Sequence, residues 1–290
     1  MVLKIQEVID DREYIMGMLT TPLLIGGAPR SGTTALLQVL NSNPAVFISS
    51  EENLLNSIKL LGKLLGTRER RAHTLASGMR ALSERETLTV DNIHSHNFSE
   101  KSVWPSIRYL YKWHHKRMEG GEPLVLWGDK FPNYFKEIDS VLALENVRYL
   151  HITRNPFDVV NSMLRRTEMS KQGKDWWKAI TDIDGMINAW ALAFQAIQNV
   201  ESRPNVFHLH YESLVFDFDK TIFALNDFFG VDFTYSNIMV DDPEKHYERS
   251  FINAEVKMRI SSNAQVSSYV EKFANNAEFP SVSTALRVLK

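Results

Sequence analysis

The chemistry-bearing residues are most densely spaced in Leu23-Leu24-Ile25-Gly26-Gly27-Ala28-Pro29-Arg30-Ser31-Gly32-Thr33-Thr34, which runs directly into the apolar-periodic stretch Ala35, Leu36, Leu37, Val39 and Leu40. This pattern predicts a strand, a glycine loop and a helix. Such a turn aims backbone N–H groups and the positive end of a helix at one point, and phosphate is the guest it favours. Arg30 adds a planar cation inside the loop, and Ser31, Thr33 and Thr34 add hydroxyls. A second anion subsite is expected where Val147–Thr153, read as a strand, meets Arg154-Asn155-Pro156-Phe157-Asp158. There Asn155 is placed to cap a helix that Pro156 opens, and Arg154 and Ser162, two helical turns apart, share its positive end.

The spacing Gly27-x-x-x-x-Gly32 matches the nucleotide P-loop with Thr34 at its Ser/Thr position, but Thr33 stands where that motif requires lysine. Without the lysine that reaches the β- and γ-phosphates, an ordinary triphosphatase is disfavoured. The segment from Gly27 to Thr34 resembles instead the 5′-phosphosulfate loop of sulfotransferases that use 3′-phosphoadenosine-5′-phosphosulfate (PAPS). The Val147–Asp158 segment with Ser162 is similar to that family's 3′-phosphate segment, and His210-Tyr211-Glu-Ser-Leu214 resembles its Tyr-Glu-x-Leu segment.

The resemblance implies transfer of a sulfuryl group from PAPS, with no metal, to a hydroxyl of an acceptor, giving a sulfate ester and the desulfated nucleotide PAP. It implies that Gly27, Arg30, Ser31, Gly32, Thr33 and Thr34 hold the 5′-phosphosulfate, that Arg154 and Ser162 hold the 3′-phosphate, and that Tyr211 lies against the nucleotide. Arg30 then also serves catalysis, as a fixed cation facing developing charge. Gly128-Asp-Lys130-Phe-Pro resembles the Lys-Asp-Pro or Lys-Thr-Pro segment of tyrosylprotein and bacterial sulfotransferases, with Phe131 replacing the middle polar residue. That likeness implies that Lys130 approaches the sulfuryl group.

Glu51 lies, without a gap from Arg30, where tyrosylprotein sulfotransferases carry their catalytic glutamate. The family arginine two places further on is Asn53 here, so a carbohydrate or small-molecule acceptor is expected rather than peptide tyrosine. Glu51 as general base requires a pKa raised by burial. Its neighbour Glu52 fits a capping box, Ser49-x-x-Glu52, opening a helix with Leu54, Leu55, Ile58, Leu61 and Leu65 on one face. A histidine, as in the cytosolic small-molecule enzymes, is the alternative base, and His94, His96, His114 and His115 are the positions to test. The alternative functions are a P-loop kinase, with Leu124–Asp129 imitating a Walker B strand and acid, and a noncatalytic nucleotide-binding protein.

Around these residues the sequence alternates strand and helix patterns. Strands are expected at Pro123–Trp127, ending at Gly128-Asp129-Lys130, at Val147–Thr153 and at Val206–His210. Helices are expected at Asn133–Glu145, from Pro156, at Asp175–Val200 and up to Phe229-Gly230. The fold class is therefore α/β, a mainly parallel central sheet flanked by helices, of P-loop sulfotransferase architecture. One domain over 1–290 is expected, with a helical or lid insertion at about 67–120.

The 290 residues carry 33 Lys and Arg against 35 Asp and Glu, a net charge of −2, so no global field favours nucleic acid. The absence of cysteine excludes disulfides and thiolate chemistry. Charged residues interrupt Met1–Thr21 and no run reaches the ~18 apolar residues of a membrane span, which makes a cytoplasmic protein the default expectation. The sequence permits a homo-oligomer and does not specify one.

Overall fold

The computed structural model describes residues 22–60, 107, 111–112, 115, 124–144, 147–173, 180, 182–237, 251–276 and 278–287. The chain falls into two compact units, one of residues 1–21 and 53–123, the other of residues 22–52 and 124–290. In the first unit, residues 54–60 are helical, as are positions 107, 111, 112 and 115. The rest of the expected insertion, with His94, His96 and His114, lies outside the described residues, as do Met1–Thr21 and the tryptophans Trp176 and Trp177.

The second unit is built on a five-stranded parallel sheet. Its strands are β1 (Leu23–Gly26), β2 (Val46–Ser50), β3 (Leu126–Lys130), β4 (Arg148–Thr153) and β5 (Val206–His210), in the order β2-β3-β1-β4-β5. Leu23 aligns with Gly128 on one side and Arg148 on the other. Strands covered on both faces read as continuous apolar runs, and Leu23, Leu24 and Ile25 are fully buried. Gly128 is needed here for space: a Cβ at this position would run into the Leu23 carbonyl oxygen of the neighbouring strand.

Helices α1 (Thr33–Leu40), α2 (Ile138–Leu142), α3 (Pro156–Lys171), α4 (Ile183–Gln198), α5 (Tyr211–Phe216), α6 (Phe218–Phe229), α7 (Ala254–Ser261), α8 (Ala264–Phe273) and α9 (Pro280–Arg287) complete the described part of this unit. Asn155 and Gly230 end α3 and α6 as expected, and Asp182 caps α4, whose helix was expected to start at Asp175. Asn155 Oδ1 accepts from Phe157 N at 3.0 Å, Asp182 Oδ1 from Gly185 N at 2.6 Å, and Gly230 closes α6 at φ 67°.

Several boundaries differ from the sequence expectation. Gly128-Asp129-Lys130 is strand and not the loop that ends one, because the pairing of β2 and β1 with β3 continues through Lys130. The helix expected at Asn133–Glu145 is a 3₁₀ turn, Pro132–Glu137, followed by the short α2. The segment after β5 is broken at Asp217 into α5 and α6. The C-terminal helical stretch begins at Ala254, capped by Asn253 Oδ1 on Val256 N at 2.9 Å.

The capping box at Ser49 is not formed. Ser49 lies in β2 and its hydroxyl donates to Asp129 Oδ1 at 2.9 Å, while the helix after it is opened by Asn53, whose Oδ1 accepts from Asn56 N at 3.2 Å.

A histidine seam lines the β4–β5 pair. The rings of His151 and His208 lie 6.0 Å apart and those of His208 and His210 4.7 Å apart, with Phe273 and Phe279 against His210. Burial holds all three histidines below their ordinary pKa, although Glu201, which accepts from or pairs with His208 at 2.9 Å, pulls His208 the other way.

A histidine depressed in the fold refuses protons that the unfolded chain accepts below pH about 6.5, so stability falls as pH drops through that range. His210→Phe, which suits the aromatic surroundings, is expected to reduce this acid loss by up to about 1.4 kcal/mol per pH unit below 6.5. Urea unfolding at a series of pH values checks it; an unchanged slope would remove His210 from the account.

Candidate active site

Parallel α/β sheets place ligands at the carboxyl ends of their strands, where the chain order reverses beside β1. The candidate residues follow the strands in that way: Gly27 after β1, Glu51 after β2, Lys130 at the end of β3, Arg154 after β4 and Tyr211 after β5. A cleft of about 820 Å³ opens there. Arg30, Gly32, Thr33, Thr34, Glu51, Lys130, Arg154, Ser162 and Tyr211 all line it. The structure therefore gathers residues that lie far apart in sequence.

The glycine loop holds its shape through its own backbone. Gly27 N donates to Pro132 O and Ser31 N to Ala28 O, both at 3.1 Å. Arg30 takes φ 73° and Gly32 φ 96°. A Cβ on Gly32 would overlap the Tyr211 ring, and one on Gly27 would meet the Ile152 carbonyl, so these glycines allow two strand ends to close on the loop. Gly27 and Ser31 do not themselves line the cleft; Ser31 is fully buried, with its hydroxyl unpartnered among the described residues. The N-terminus of α1 has no side-chain cap and no acidic residue in its first turn, which leaves its positive end uncompensated.

Arg30 Nε donates to Ser162 Oγ at 3.1 Å, joining the loop to α3. Arg154 is held from three sides. Its guanidinium lies 4.4 Å over the Tyr211 ring, its NH2 group is 3.8 Å from Asp158, and its carbonyl accepts from Trp190 Nε1 at 2.8 Å. Its Nε is buried without a hydrogen-bond partner among the described residues. A cation placed this way, loosely paired and at a cleft wall, can take an anion without moving its backbone.

Lys130 is 2% exposed and donates to Glu51 Oε1 at 2.9 Å. Glu51 is reached by a sharp turn, φ 64° for a non-glycine residue, with its N–H on Lys130 O at 2.7 Å. It is 56% exposed and precedes the helix instead of opening it. The burial expected to activate it is therefore absent, and a role as base rests instead on placement, since the side chain is oriented on the cleft wall by its ion pair with Lys130.

Asp129, fully buried beside Lys130, accepts from Ser49 Oγ at 2.9 Å, Tyr134 Oη at 2.6 Å and Glu52 N at 3.2 Å. These contacts lock the ends of β2 and β3 where the pair sits.

Sequence reading missed Asp129 as an anchor, Trp190 as a support for Arg154, and Arg165 and Arg166 in the cleft wall. The two arginines were detectable, since they continue the helical face of Asp158 and Ser162. The contacts of Asp129 and Trp190 are long-range and left no local signal. Arg165 and Arg166 with Arg30, Lys130 and Arg154 make five cations against the carboxylates Glu51 and Asp158, a local positive excess in a chain of net charge −2. Among the described residues no group of three or more His, Asp or Glu side chains could hold a metal, and no helix is long and apolar enough to cross a membrane.

The parallel sheet and the loop after its first strand define a P-loop-like α/β protein. The chain belongs to the sulfotransferase family, whose sequence pattern matches residues 22–235, more than half of its length. It is thus a transferase of sulfuryl groups. No curated protein matches it.

Among solved structures it is similar to the sulfotransferase domain of the Synechococcus olefin synthase, at 22% identity over 88% of this chain and 96% of that one, with a TM-score of 0.47. It is similar also to the sulfotransferase domain of the curacin biosynthetic pathway, at 21% identity over 87% and 83%, TM-score 0.44. A mouse sulfotransferase complexed with PAP shares 16% identity over 90% and 69%, TM-score 0.41.

Proposed function

We propose that the protein transfers the sulfuryl group of PAPS to a hydroxyl of a carbohydrate or small-molecule acceptor, releasing PAP and a sulfate ester. The observation that carries this reading is that the glycine loop and Arg154 open onto one cleft, with Arg30 bonded across it to Ser162. In this reading the α1 N-terminus, Arg30, Thr33 and Thr34 hold the 5′-phosphosulfate, shaped by Gly27, Ser31 and Gly32. Arg154 and Ser162 hold the 3′-phosphate, with Tyr211 beneath the guanidinium.

Glu51 accepts the proton of the acceptor hydroxyl as it attacks sulfur. The bond from sulfur to the bridging oxygen breaks, and Lys130 and Arg30 stabilise the charge that collects on that oxygen of PAP. No step calls on a metal. A single domain spanning 1–290, with a helical or lid insertion at about 67–120, remains part of this proposal, as does a cytoplasmic location.

A kinase is less well supported, because Thr33 replaces the loop lysine and the Asp129 carboxylate is already engaged by Ser49, Tyr134 and Glu52 N. A noncatalytic binder would leave the Glu51–Lys130 pair at the strand ends without a use.

Mass action tests the nucleotide assignment. At a concentration of about 100 times its Kd, PAP should add about 2.7 kcal/mol of stability and raise Tm, while ATP, which lacks a 3′-phosphate, should do little. Equal shifts with both nucleotides would refute the 3′-phosphate subsite.

A further inference from the structure

Glu212, the second residue of α5, is 2% exposed and takes no part in the chemistry above. Its Oε1 accepts from Asn155 N at 2.8 Å, and Asn155 Oδ1 in turn caps α3 through Phe157 N. Its Oε2 is buried with no hydrogen-bond partner among the described residues. One carboxyl oxygen thus fixes the residue that follows Arg154, and the other is bare.

The charged and titratable groups facing it come from two directions. Arg154 and Asp158 lie on the β4–α3 connection, and the Tyr269 phenol lies on α8. From α6 and α9 the contacts to α5 are hydroxyls, Thr221 Oγ1 on Ser213 O at 2.9 Å and Ser281 Oγ 3.5 Å from Ser213 Oγ. Arg154 is the one cation among these that favours an ionised Glu212, while Asp158 opposes it.

A buried carboxylate with one unsatisfied oxygen is costly, and burial pushes Glu212 up to about 7. A dianionic phosphate bound to Arg154 would offset that cation's help and add negative charge of its own. On the reading that the cleft binds a 3′-phosphorylated nucleotide, we propose that binding is coupled to protonation of Glu212. A phosphate settling on Arg154 draws a proton from bulk water onto Oε2, and the neutral carboxyl keeps its hold on Asn155. Glu212 is a positioning residue in this scheme, since it acts on the nucleotide through Arg154 and Asn155.

Calorimetry of PAP binding to the full chain at about pH 7.5, in buffers of different ionisation enthalpy, reads the proton directly. The wild type should take up roughly half a proton more than Glu212→Gln, which mimics the neutral carboxyl. From about pH 6.5 to 8.5 the wild-type affinity should fall several-fold more steeply than the variant's.

A purely structural role would shift affinity without this difference in pH slope, and equal proton exchange in the two proteins would overturn the coupling. Wild type that binds no PAP would overturn the nucleotide reading and the coupling with it, whereas PAP binding without extra proton uptake would overturn the coupling alone. Should the variant not fold, infrared spectra of the wild type decide the matter: a protonated-carboxyl band must grow when PAP is added, and its absence contradicts the proposal.

Discussion

Glu51→Gln is expected to lower kcat for sulfuryl transfer by about 10²–10⁴ while PAP affinity stays near that of the wild type. The position of this side chain is the reason. Glu51 ends the turn after β2, in a strained αL conformation, with Oε1 at 2.9 Å from the nearly buried Lys130. A carboxylate held beside a buried ammonium on the cleft wall can take a proton from a hydroxyl on one side while the lysine faces developing charge on the other.

Glutamine keeps the size and an acceptor for Lys130 but cannot take the proton. Glu52, whose backbone N–H and not its side chain engages Asp129, is the matched control. Glu52→Gln should retain activity. Normal turnover by Glu51→Gln on the true acceptor would move the base to another residue, with the histidines next in line.

Arg154→Ala is expected to weaken PAP binding by roughly 1.5–3 kcal/mol, about ten- to a hundredfold in Kd. The guanidinium is positioned before any ligand arrives, by the Tyr211 ring, by Asp158 and by the hydrogen bond from Trp190 to its own carbonyl. Little ordering cost remains to be met on binding, so most of a charge-assisted contact should appear as affinity. Its substitution leaves Trp190 Nε1 with its backbone acceptor, which limits the damage to the fold. Titration calorimetry reads the effect, and an unchanged Kd would make Arg154 a bystander.

The part of this account that could be read from sequence is the part encoded locally. Gly27 and Gly32, with Arg30 between them, announce a strand–loop–helix turn because only a few backbone paths fit that spacing, and the continuous apolar run before them announces a strand buried on both faces. Asn155-Pro156 marks the start of α3 for the same kind of reason.

What was not readable depends on residues distant in sequence. Ser49 and Glu52 look like a capping box, yet Asp129 claims the Ser49 hydroxyl from the adjacent strand, and a buried carboxylate wins over a local turn. Gly128-Asp129-Lys130 resembles a loop because glycine and charge are depleted in strands; only the closeness of the Leu23 backbone explains the glycine, and only Ser49, Tyr134 and Glu51 explain the charges. The meeting of the Glu51–Lys130 pair across 79 positions is likewise a product of strand order and not of local pattern.

The most direct test of sulfuryl transfer is turnover of sulfur-labelled PAPS against a panel of hydroxyl acceptors, with a chelator present to remove magnesium. A labelled sulfate ester and stoichiometric PAP are expected from at least one carbohydrate or small-molecule alcohol, and both are lost in Glu51→Gln. Label that never leaves PAPS with any acceptor, or phosphate transfer from ATP that requires magnesium, would contradict sulfuryl transfer.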